Sequence, residues 1–203
     1  MSTTLKSHWD TVYETKQPNQ VSWTQDKPQT SIDFVNSFNL PLSASIIDIG
    51  GGDSKLVDFL LDLGYTNISV LDISEKSIER AKLRLGEKSN LVKWIVSDIV
   101  EFVPTEMYDL WHDRAAFHFL TNEQDVNSYL EKVSTHAKNI VIATFSVDGP
   151  IKCSGLEVQQ YDEQSMKSKF ENVGFSNIEC KRVDHTTPMG TVQNFVFCAF
   201  HIQ

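Results

Sequence analysis

Cysteine is scarce in this sequence, which holds three among 203 residues: Cys153, Cys180 and Cys198. No two of them form a C-x-x-C pair, so the spacing indicates neither a disulfide framework nor a zinc knuckle, and it favours a reducing compartment. Long apolar runs are also missing, since no window approaches the roughly 20 apolar residues of a membrane span. Residues 1–16 lack the apolar core of a signal peptide. We therefore expect a cytoplasmic protein without a membrane segment.

Basic residues are outnumbered in this chain: 18 Lys and Arg stand against 27 Asp and Glu, which gives a net charge of −9. Binding to DNA or RNA is driven by neutralisation of phosphates, so this balance disfavours a nucleic-acid partner. Apolar residues make up 40% of the chain and charged residues 22%, a mixture typical of globular proteins. A length of 203 residues suits one domain with a sizeable core.

Residues 1–44 differ in pattern from the rest of the chain. They hold two of the four tryptophans, Trp9 and Trp23, together with Tyr13 and several turn-forming residues. Apolar residues at 32, 35 and 38 share one face of a short helix. We predict an N-terminal helical cap over residues 1–44, which belongs to the same domain as the sheet of residues 45–203.

From residue 45 onward, short β-branched runs alternate with segments of helical periodicity. This alternation predicts an α/β fold with three layers, in which helices flank a doubly wound, mostly parallel seven-stranded sheet. The last two runs have no helix between them, which predicts an antiparallel C-terminal strand pair. The seven predicted strands cover residues 46–49, 68–72, 91–96, 108–111, 139–145, 177–183 and 194–200.

A run of glycines, Gly50–Gly52, follows the first predicted strand and opens the first predicted helix. Such a turn lets the backbone approach a ligand at the carboxyl edge of the sheet. Asp72 ends the second predicted strand, where a carboxylate can accept hydrogen bonds from both ribose hydroxyls of an adenosine cofactor. Asp98 ends the third strand and borders an adenine pocket. Together these residues predict a nucleoside site.

A dinucleotide site is the main alternative. Its G-x-G-x-x-G pattern fails here because Lys55 stands where the third glycine belongs. Asp53 would also repel a pyrophosphate at the start of the helix. The spacing therefore favours a nucleoside without a phosphate bridge and leaves a nicotinamide-dependent oxidoreductase as a weaker alternative function.

At these residues the sequence resembles the class I S-adenosylmethionine-dependent methyltransferases. Asp48, Gly50 and Gly52 match the family's first motif, an acidic residue followed by alternating glycines, while Ser54 replaces the usual last glycine. The resemblance runs from about residue 45 to the end and implies methyl transfer with S-adenosylmethionine as cofactor. The cofactor contacts that it implies are Asp48, Gly50, Gly51, Gly52, Asp72, Ile73, Asp98 and Ile99.

The N-terminal cap is similar to the corresponding segment of a type 12 subset of these methyltransferases, through Trp9, Asp10, Tyr13, Ser22 and Trp23. In that subset this segment folds over the cofactor, which implies that Trp9, Tyr13 or Trp23 covers the cofactor's methionine end. Relatives in the subset methylate protein lysines or small molecules, so the resemblance leaves a small-molecule and a protein substrate open.

The candidate catalytic residues follow the fourth predicted strand: His112, Asp113 and Arg114, with His118 beyond them. A histidine could accept a proton near neutral pH, and Arg114 could hold an anionic substrate by a bidentate contact. Asp113 could orient a cationic acceptor or the cofactor's amino group. The structural alternatives are a helix N-cap for Asp113, an ion pair with it for Arg114, and a core position for His118. Their spacing matches no metal-ligand pattern, so no metal is expected.

The loop over residues 146–160 is the predicted substrate lid, because a connection of this length is uncommon unless it is functional or mobile. Cys153 has no evident base beside it in the sequence, which favours an ordinary loop cysteine over a nucleophile. The alternative to an active enzyme is a protein that binds S-adenosylmethionine without catalysis. The sequence assigns neither the acceptor atom nor the oligomeric state.

Overall fold

The computed structural model describes residues 2–202, so the outermost residues of the two predicted ranges, 1 and 203, lie outside the described part. The helices are α1 (Ser2–Thr15), α2 (Gln29–Ser37), α3 (Leu56–Asp62), α4 (Glu75–Leu85), α5 (Glu123–His136) and α6 (Glu163–Glu171). Short 3-10 helices lie at Pro18–Gln20, Gly86–Leu91 and Phe117–Phe119. No helix within residues 2–202 combines the length and the apolar character that crossing a membrane requires.

The strands form one seven-stranded sheet and a small separate hairpin. The sheet consists of β1 (Ser45–Ile49), β2 (Asn67–Asp72), β3 (Val92–Val96), β4 (Leu110–Arg114), β5 (Asn139–Phe145), β8 (Phe175–Thr186) and β9 (Val192–Ile202), and the hairpin of β6 (Lys152–Cys153) and β7 (Leu156–Glu157). The sheet order is β3-β2-β1-β4-β5-β9-β8, with the first five strands parallel and β9 antiparallel to both neighbours. The predicted topology is confirmed.

The central strands are buried on both faces, as parallel strands between two helical layers must be. All five residues of β1 are buried. Buried side chains of α5 and α6 belong to one apolar core and those of α2 and α3 to another. The sheet therefore lies between two helical layers, as the alternation of strands and helices predicts.

The fourth strand lies further along the chain than predicted, at 110–114 rather than 108–111. Its pairing with both parallel neighbours continues to its end, with Asp113 opposite Ile49 of β1 and Arg114 opposite Ala143 of β5. Backbone pairing on both sides outweighs the charged composition of this segment. His112 and Asp113 therefore lie inside the strand, and their side chains point to opposite faces of the sheet.

A disulfide joins Cys180 of β8 to Cys198 of β9, which the cysteine spacing does not predict. The two residues lie directly opposite each other in the antiparallel pair. Their separation of 18 residues is set by the length of the hairpin, so pairing of the strands brings the two sulfur atoms together.

The loop predicted over residues 146–160 contains the β6–β7 hairpin. Ser154 and Gly155 form its turn with φ values of +51° and +82°, a left-handed pair typical of two-residue hairpin turns. Cys153, which precedes this turn, is buried and belongs to the same apolar core as the buried side chains of α2 and α3.

The N-terminal cap packs against the sheet domain through both of its helices. α1 contacts α4, and Phe34 of α2 stacks on Phe197 of β9 with ring centroids 5.8 Å apart. The cap is helical, as predicted, and its contacts cover the carboxyl edge of the sheet from one side.

Candidate active site

The glycine turn lies directly after β1, at the carboxyl edge of the sheet. Gly50 has a φ of +65°, a conformation that L side chains rarely adopt. A Cβ on Gly52 would collide with Ser77, so this position has no space for a side chain. Gly50 and Gly51 line a cavity above the turn, whereas the N–H of Gly52 donates to Asp72 Oδ2 at 3.0 Å.

Asp72, the last residue of β2, holds this turn in place. Besides the bond from Gly52, its Oδ1 accepts the N–H of Ser74 at 2.8 Å. Asp72 is buried, and burial raises its pKa to about 6, although hydrogen bonds from Ser74, Ser77 and Gly52 oppose the rise. Each carboxylate oxygen has more than one acceptor site, so Asp72 retains acceptor capacity toward the cavity that it lines.

Ile73, Asp98 and Ile99 line the same cavity. Asp98 follows β3, which lies beyond β2 in the sheet order, and its Oδ1 accepts the N–H of Val100 at 3.0 Å. Ile99 is buried. The structure therefore brings together the predicted ribose and adenine residues at one end of the cavity.

Three aromatic side chains of the N-terminal cap meet Phe119 in the same cavity. The ring of Trp9 lies 5.7 Å from that of Trp23 and 5.2 Å from that of Phe119, and Tyr13 lies 6.1 Å from Trp23. All four rings line the cavity and meet in edge-to-face contacts, each of which contributes about 0.5–1.5 kcal/mol beyond the area it buries. We call Trp9, Tyr13, Trp23 and Phe119 the aromatic wall.

Asp10 attaches the cap to the rim of the cavity, a role that the sequence reasoning missed. Its Oδ1 accepts the hydroxyl of Ser74 at 2.7 Å and the N–H of Lys76 at 3.4 Å. These groups stand at the N-terminus of α4, where the helix dipole favours a carboxylate. An acid next to Trp9 in the cap was visible in the sequence, but its partner lies 64 residues away.

His8 was also missed, although it lines the cavity beside the aromatic wall. Its ring meets that of Trp9 edge to face at 5.4 Å. Its Nε2 is buried and has no hydrogen-bond partner within residues 2–202. A free ring nitrogen in a cavity can accept a proton from an acceptor group, and the helical position of His8 gave no signal of this in the sequence.

His112 forms a buried polar chain with Asp48 and Ser31. Its Nδ1 lies 2.7 Å from Asp48 Oδ1, and its Nε2 lies 2.9 Å from Ser31 Oγ. Both ring nitrogens are therefore occupied, which leaves none for a substrate proton. The chain links α2 to β1 and β4 beneath the glycine turn, so His112 holds the frame of the site.

Asp113 lies in the core and is not among the residues that line the cavity, contrary to its predicted catalytic role. Its Oδ1 accepts the N–H groups of Ala116 and Phe117 at 2.9 and 3.1 Å, and its Oδ2 accepts the hydroxyl of Tyr129 at 2.9 Å. Burial raises its pKa to about 6 against these hydrogen bonds. Asp113 caps the 3-10 turn after β4, which is the structural alternative.

His118 is likewise a core residue, away from the cavity lining. Its Nδ1 accepts the N–H of Phe145 at 3.2 Å. Burial, with a smaller contribution from the charge of Arg114, lowers its pKa to about 3. A histidine that stays neutral to such low pH is a poor proton acceptor, so the structure favours the core position over the predicted catalytic one.

Arg114, by contrast, reaches the cavity from the end of β4. Its Nη1 and Nη2 both donate to the carbonyl oxygen of Trp23 at 3.1 Å, and its guanidinium carbon lies 5.3 Å from the ring centre of Phe195. It does not pair with Asp113. Burial lowers its pKa to about 10, against the attraction of Asp48, so it is charged at neutral pH.

One cavity of about 990 Å³ connects all of these lining residues. Cys153 and Leu156 of the β6–β7 hairpin line it near Arg114, so the predicted lid does border the site. Burial raises the pKa of Cys153 to about 11, so its thiol is protonated at neutral pH and the ordinary cysteine is favoured. Within residues 2–202, no group of acidic, histidine or cysteine side chains is arranged to hold a metal ion.

A family model described as a methyltransferase domain matches residues 47–139, which include the glycine turn, Asp72, Asp98 and β4. The malonyl-[acyl-carrier protein] O-methyltransferase 2 of Ilyobacter polytropus is 31% identical over 105 residues, which are 51% of this chain and 40% of that protein. These matches support the resemblance to the class I S-adenosylmethionine-dependent methyltransferases. The match spans about 40% of the length of that relative.

Two further proteins resemble this chain. Human EEF1A lysine methyltransferase 2 is 27% identical over 147 residues, which are 66% of this chain and 61% of that one. The 1,6-didemethyltoxoflavin-N1-methyltransferase of Burkholderia thailandensis, solved with bound S-adenosylhomocysteine, has a TM-score of 0.74. It is 16% identical, and the match covers 100% of this chain and 89% of that one. This structural likeness confirms the fold.

S-adenosylmethionine is the cofactor of this family, and the site has features that fit it. The turn backbone is open to the cavity at Gly50, and Oδ2 of Asp48 is buried without a partner within residues 2–202. Asp48, Asp72 and Asp98 all line the cavity, and their charge suits a cationic cofactor rich in hydroxyl groups. The individual cofactor contacts remain predictions.

Proposed function

We propose that this protein transfers the methyl group of S-adenosylmethionine to an acceptor that enters the cavity beside Arg114. The proposal rests on one observation: a single cavity contains both the predicted cofactor residues and Arg114. The glycine turn, Asp72, Arg114 and the aromatic wall all line it. A donor held by the glycine turn and Asp72 and an acceptor beside Arg114 would share a single cavity.

The role of the chain in this reaction is chiefly to position the reactants. S-adenosylmethionine, when bound, supplies an electrophilic methyl group on a sulfonium. The glycine turn and Asp72 orient the nucleoside, and the aromatic wall excludes water from the acceptor end. Alignment of this kind is the main contribution that an enzyme makes to an in-line displacement. His8 is the candidate to remove a proton where the acceptor carries one.

The acceptor belongs to one of two classes, a small molecule or a protein side chain. The names of two relatives illustrate a choice of this kind, since one acts on a malonyl group carried by an acyl carrier protein and the other on lysine of EEF1A. Both relatives match only part of their length, so neither acceptor transfers to this chain directly.

A second candidate is a protein that binds S-adenosylmethionine without transferring its methyl group. It is favoured by the fact that His112 and His118, two of the predicted catalytic residues, have no ring nitrogen open to the cavity. A nicotinamide-dependent oxidoreductase is disfavoured because Asp53 stands at the start of α3. Its charge, although paired with Arg84 at 2.6 Å, would lie against a pyrophosphate.

The test has two parts. Calorimetry should detect binding of S-adenosylhomocysteine to the purified chain and much weaker binding of NAD. Incubation with S-adenosylmethionine labelled in its methyl group, in a lysate depleted of this protein, should yield a labelled product. Tighter binding of NAD would contradict the cofactor assignment. Binding of S-adenosylhomocysteine without any labelled product across broad acceptor panels would favour the non-catalytic candidate.

A further inference from the structure

Arg114 differs from the other basic side chains that line the cavity. Three of these pair with carboxylates of the chain itself, at 2.6–3.6 Å: Lys55, Arg80 and Arg84. Their partners are Asp26, Asp53 and Asp58. Arg114 forms no salt bridge with any residue in the range 2–202, and Asp48, the carboxylate whose charge acts on it, is already hydrogen bonded to His112.

The neighbours of Arg114 supply no negative charge to balance its own. Its neighbours are the ring of Phe195, the carbonyl of Trp23 and the protonated thiol of Cys153. Arg114 is partly buried, so its charge carries a desolvation cost that the carbonyl of Trp23 compensates only in part. The guanidinium also carries more N–H donors than its two bonds to one carbonyl oxygen use.

The position of Arg114 assigns it to the acceptor end of the cavity. In the sheet order, the predicted adenosine residues follow β2 and β3 on one side of β1, and Arg114 ends β4 on the other side. Trp23 of the aromatic wall lies over it. An anion beside Arg114 would therefore lie across the glycine turn from the adenosine end.

We propose that Arg114 binds a carboxylate on the methyl acceptor, so that the acceptor is an anion. This inference rests on the proposed methyltransferase function. A planar guanidinium pairs with a carboxylate through two parallel hydrogen bonds, which favours an acid over any neutral molecule of the same shape. The same charge repels a lysine ammonium, so the inference disfavours a lysine side chain as the acceptor.

A carboxylate could also come from the methionine end of the cofactor. The experiment therefore measures both ligands separately. Calorimetry on the protein saturated with S-adenosylhomocysteine uses three acids, acetate, hexanoate and benzoate, and their matched amides, acetamide, hexanamide and benzamide. Affinity for S-adenosylhomocysteine is measured on the same samples without added acid.

We expect at least one acid to bind about tenfold or more tightly than its amide, the factor of one charge-assisted hydrogen bond. Arg114→Gln should abolish this preference and leave affinity for S-adenosylhomocysteine within about threefold of the wild type. Lys55→Gln is the matched control, because Lys55 lines the cavity but already pairs with Asp26, and it should keep the preference. Circular dichroism checks that each variant folds.

Failure of every acid to bind, or equal affinity for acids and amides in the wild type, would overturn the inference without any variant. A loss of S-adenosylhomocysteine affinity in Arg114→Gln with an unchanged acid preference would assign Arg114 to the cofactor instead. Should the wild type not bind S-adenosylhomocysteine at all, the proposed function itself fails. These three outcomes are distinguishable in one set of titrations.

Discussion

Asp72 has two tasks that use the same two oxygen atoms. It fixes the glycine turn through Gly52 and the start of α4 through Ser74. In the proposed site it also accepts the ribose hydroxyls. Burial raises its pKa from the usual 3.8 to about 6. Asp72 is therefore mostly ionised at neutral pH and takes up a proton as the pH falls below about 6.

Replacement of Asp72 by alanine should weaken binding of S-adenosylhomocysteine by about 1–3 kcal/mol, since hydroxyl groups lose a charged acceptor. Calorimetry at neutral pH measures the change. Asp62→Ala is the matched control, because Asp62 is an exposed acid that pairs with Lys88. Unchanged affinity in a folded Asp72→Ala variant would mean that the nucleoside binds elsewhere.

The pKa of Asp72 also predicts a pH dependence of binding. As the pH falls through about 6, Asp72 takes up a proton and loses acceptor strength, so wild-type affinity for S-adenosylhomocysteine should decrease below that pH. Titrations at several pH values test this. An affinity that stays constant from neutral pH down to pH 5 would contradict an ionised Asp72 in the bound state.

His118 predicts a pH dependence of stability with a definite sign. Its pKa is lowered from 6.5 to about 3, so its stabilising contribution is complete above pH 6.5 and is lost as the pH falls toward 3. The loss amounts to about 2 kcal/mol between pH 6.5 and pH 5. Asp72 and Asp113 act in the opposite direction, because their pKa values are raised.

The His118→Gln variant isolates this contribution from the two carboxylates. Urea unfolding at about pH 7 and about pH 5 should show that the wild type loses about 2 kcal/mol more than the variant between the two conditions. The comparison cancels groups that both proteins share. An identical pH dependence in the two proteins would show that His118 is not buried in its neutral form.

At the scale of secondary structure, α1 is held to the domain by few polar contacts. Asp10 bonds to the start of α4, and Arg80 of α4 donates to the carbonyl of Lys16 at 2.6 Å. The aromatic wall supplies the apolar contacts. Because Trp9 and Tyr13 line the cavity, this wall of the site forms only when α1 is docked.

The Asp10→Ala variant should therefore loosen α1 and weaken cofactor binding together. Loss of a carboxylate cap costs about 0.5–2 kcal/mol, and hydrogen exchange in α1 should rise with it. Glu14→Ala is the matched control, because Glu14 lies on the same helix, is half exposed and reaches Lys76 only at 3.9 Å. Faster exchange in α1 with unchanged binding of S-adenosylhomocysteine would separate the helix from the site.

In the whole molecule, the cavity and the disulfide lie at different parts of the sheet. The cavity lies over the carboxyl ends of the parallel strands, while the Cys180–Cys198 disulfide joins the antiparallel pair at one edge of the sheet. The sequence spacing favours a reducing compartment, and the disulfide stands against that expectation. A cytoplasmic location stays a prediction.

Removal of the disulfide should lower stability without changing the site. A closed loop of this length contributes about 3 kcal/mol by restricting the unfolded chain. The double variant Cys180→Ser and Cys198→Ser should unfold at a lower temperature in calorimetry and bind S-adenosylhomocysteine as the wild type does. The Cys153→Ser variant is the control for loss of a cysteine outside the disulfide. An unfolding temperature equal to that of the wild type would show that the bond contributes nothing.

The sequence alone predicts where the strands alternate with helices. It also predicts the glycine turn and the acids at the ends of β2 and β3. These features are local, because a strand end, a turn and a neighbouring acid are encoded within a few residues. Parallel topology then brings the ends of β1, β2 and β3 to one edge. Gly50, Asp72 and Asp98 could therefore be predicted without the tertiary structure.

The roles of the candidate catalytic residues in and after β4 follow from contacts that are distant in sequence. Their identities gave His112, Asp113, Arg114 and His118 similar standing. Pairing on both sides of the strand buries His112 and Asp113, the following 3-10 helix buries His118, and Arg114 reaches the cavity. The roles of His8 and Asp10 depend on where α1 docks, which contacts distant in sequence determine. Burial and long-range contacts, rather than residue type, decide which of these residues are structural and which line the cavity. Both depend on partners that are distant in sequence, so no local pattern predicts them.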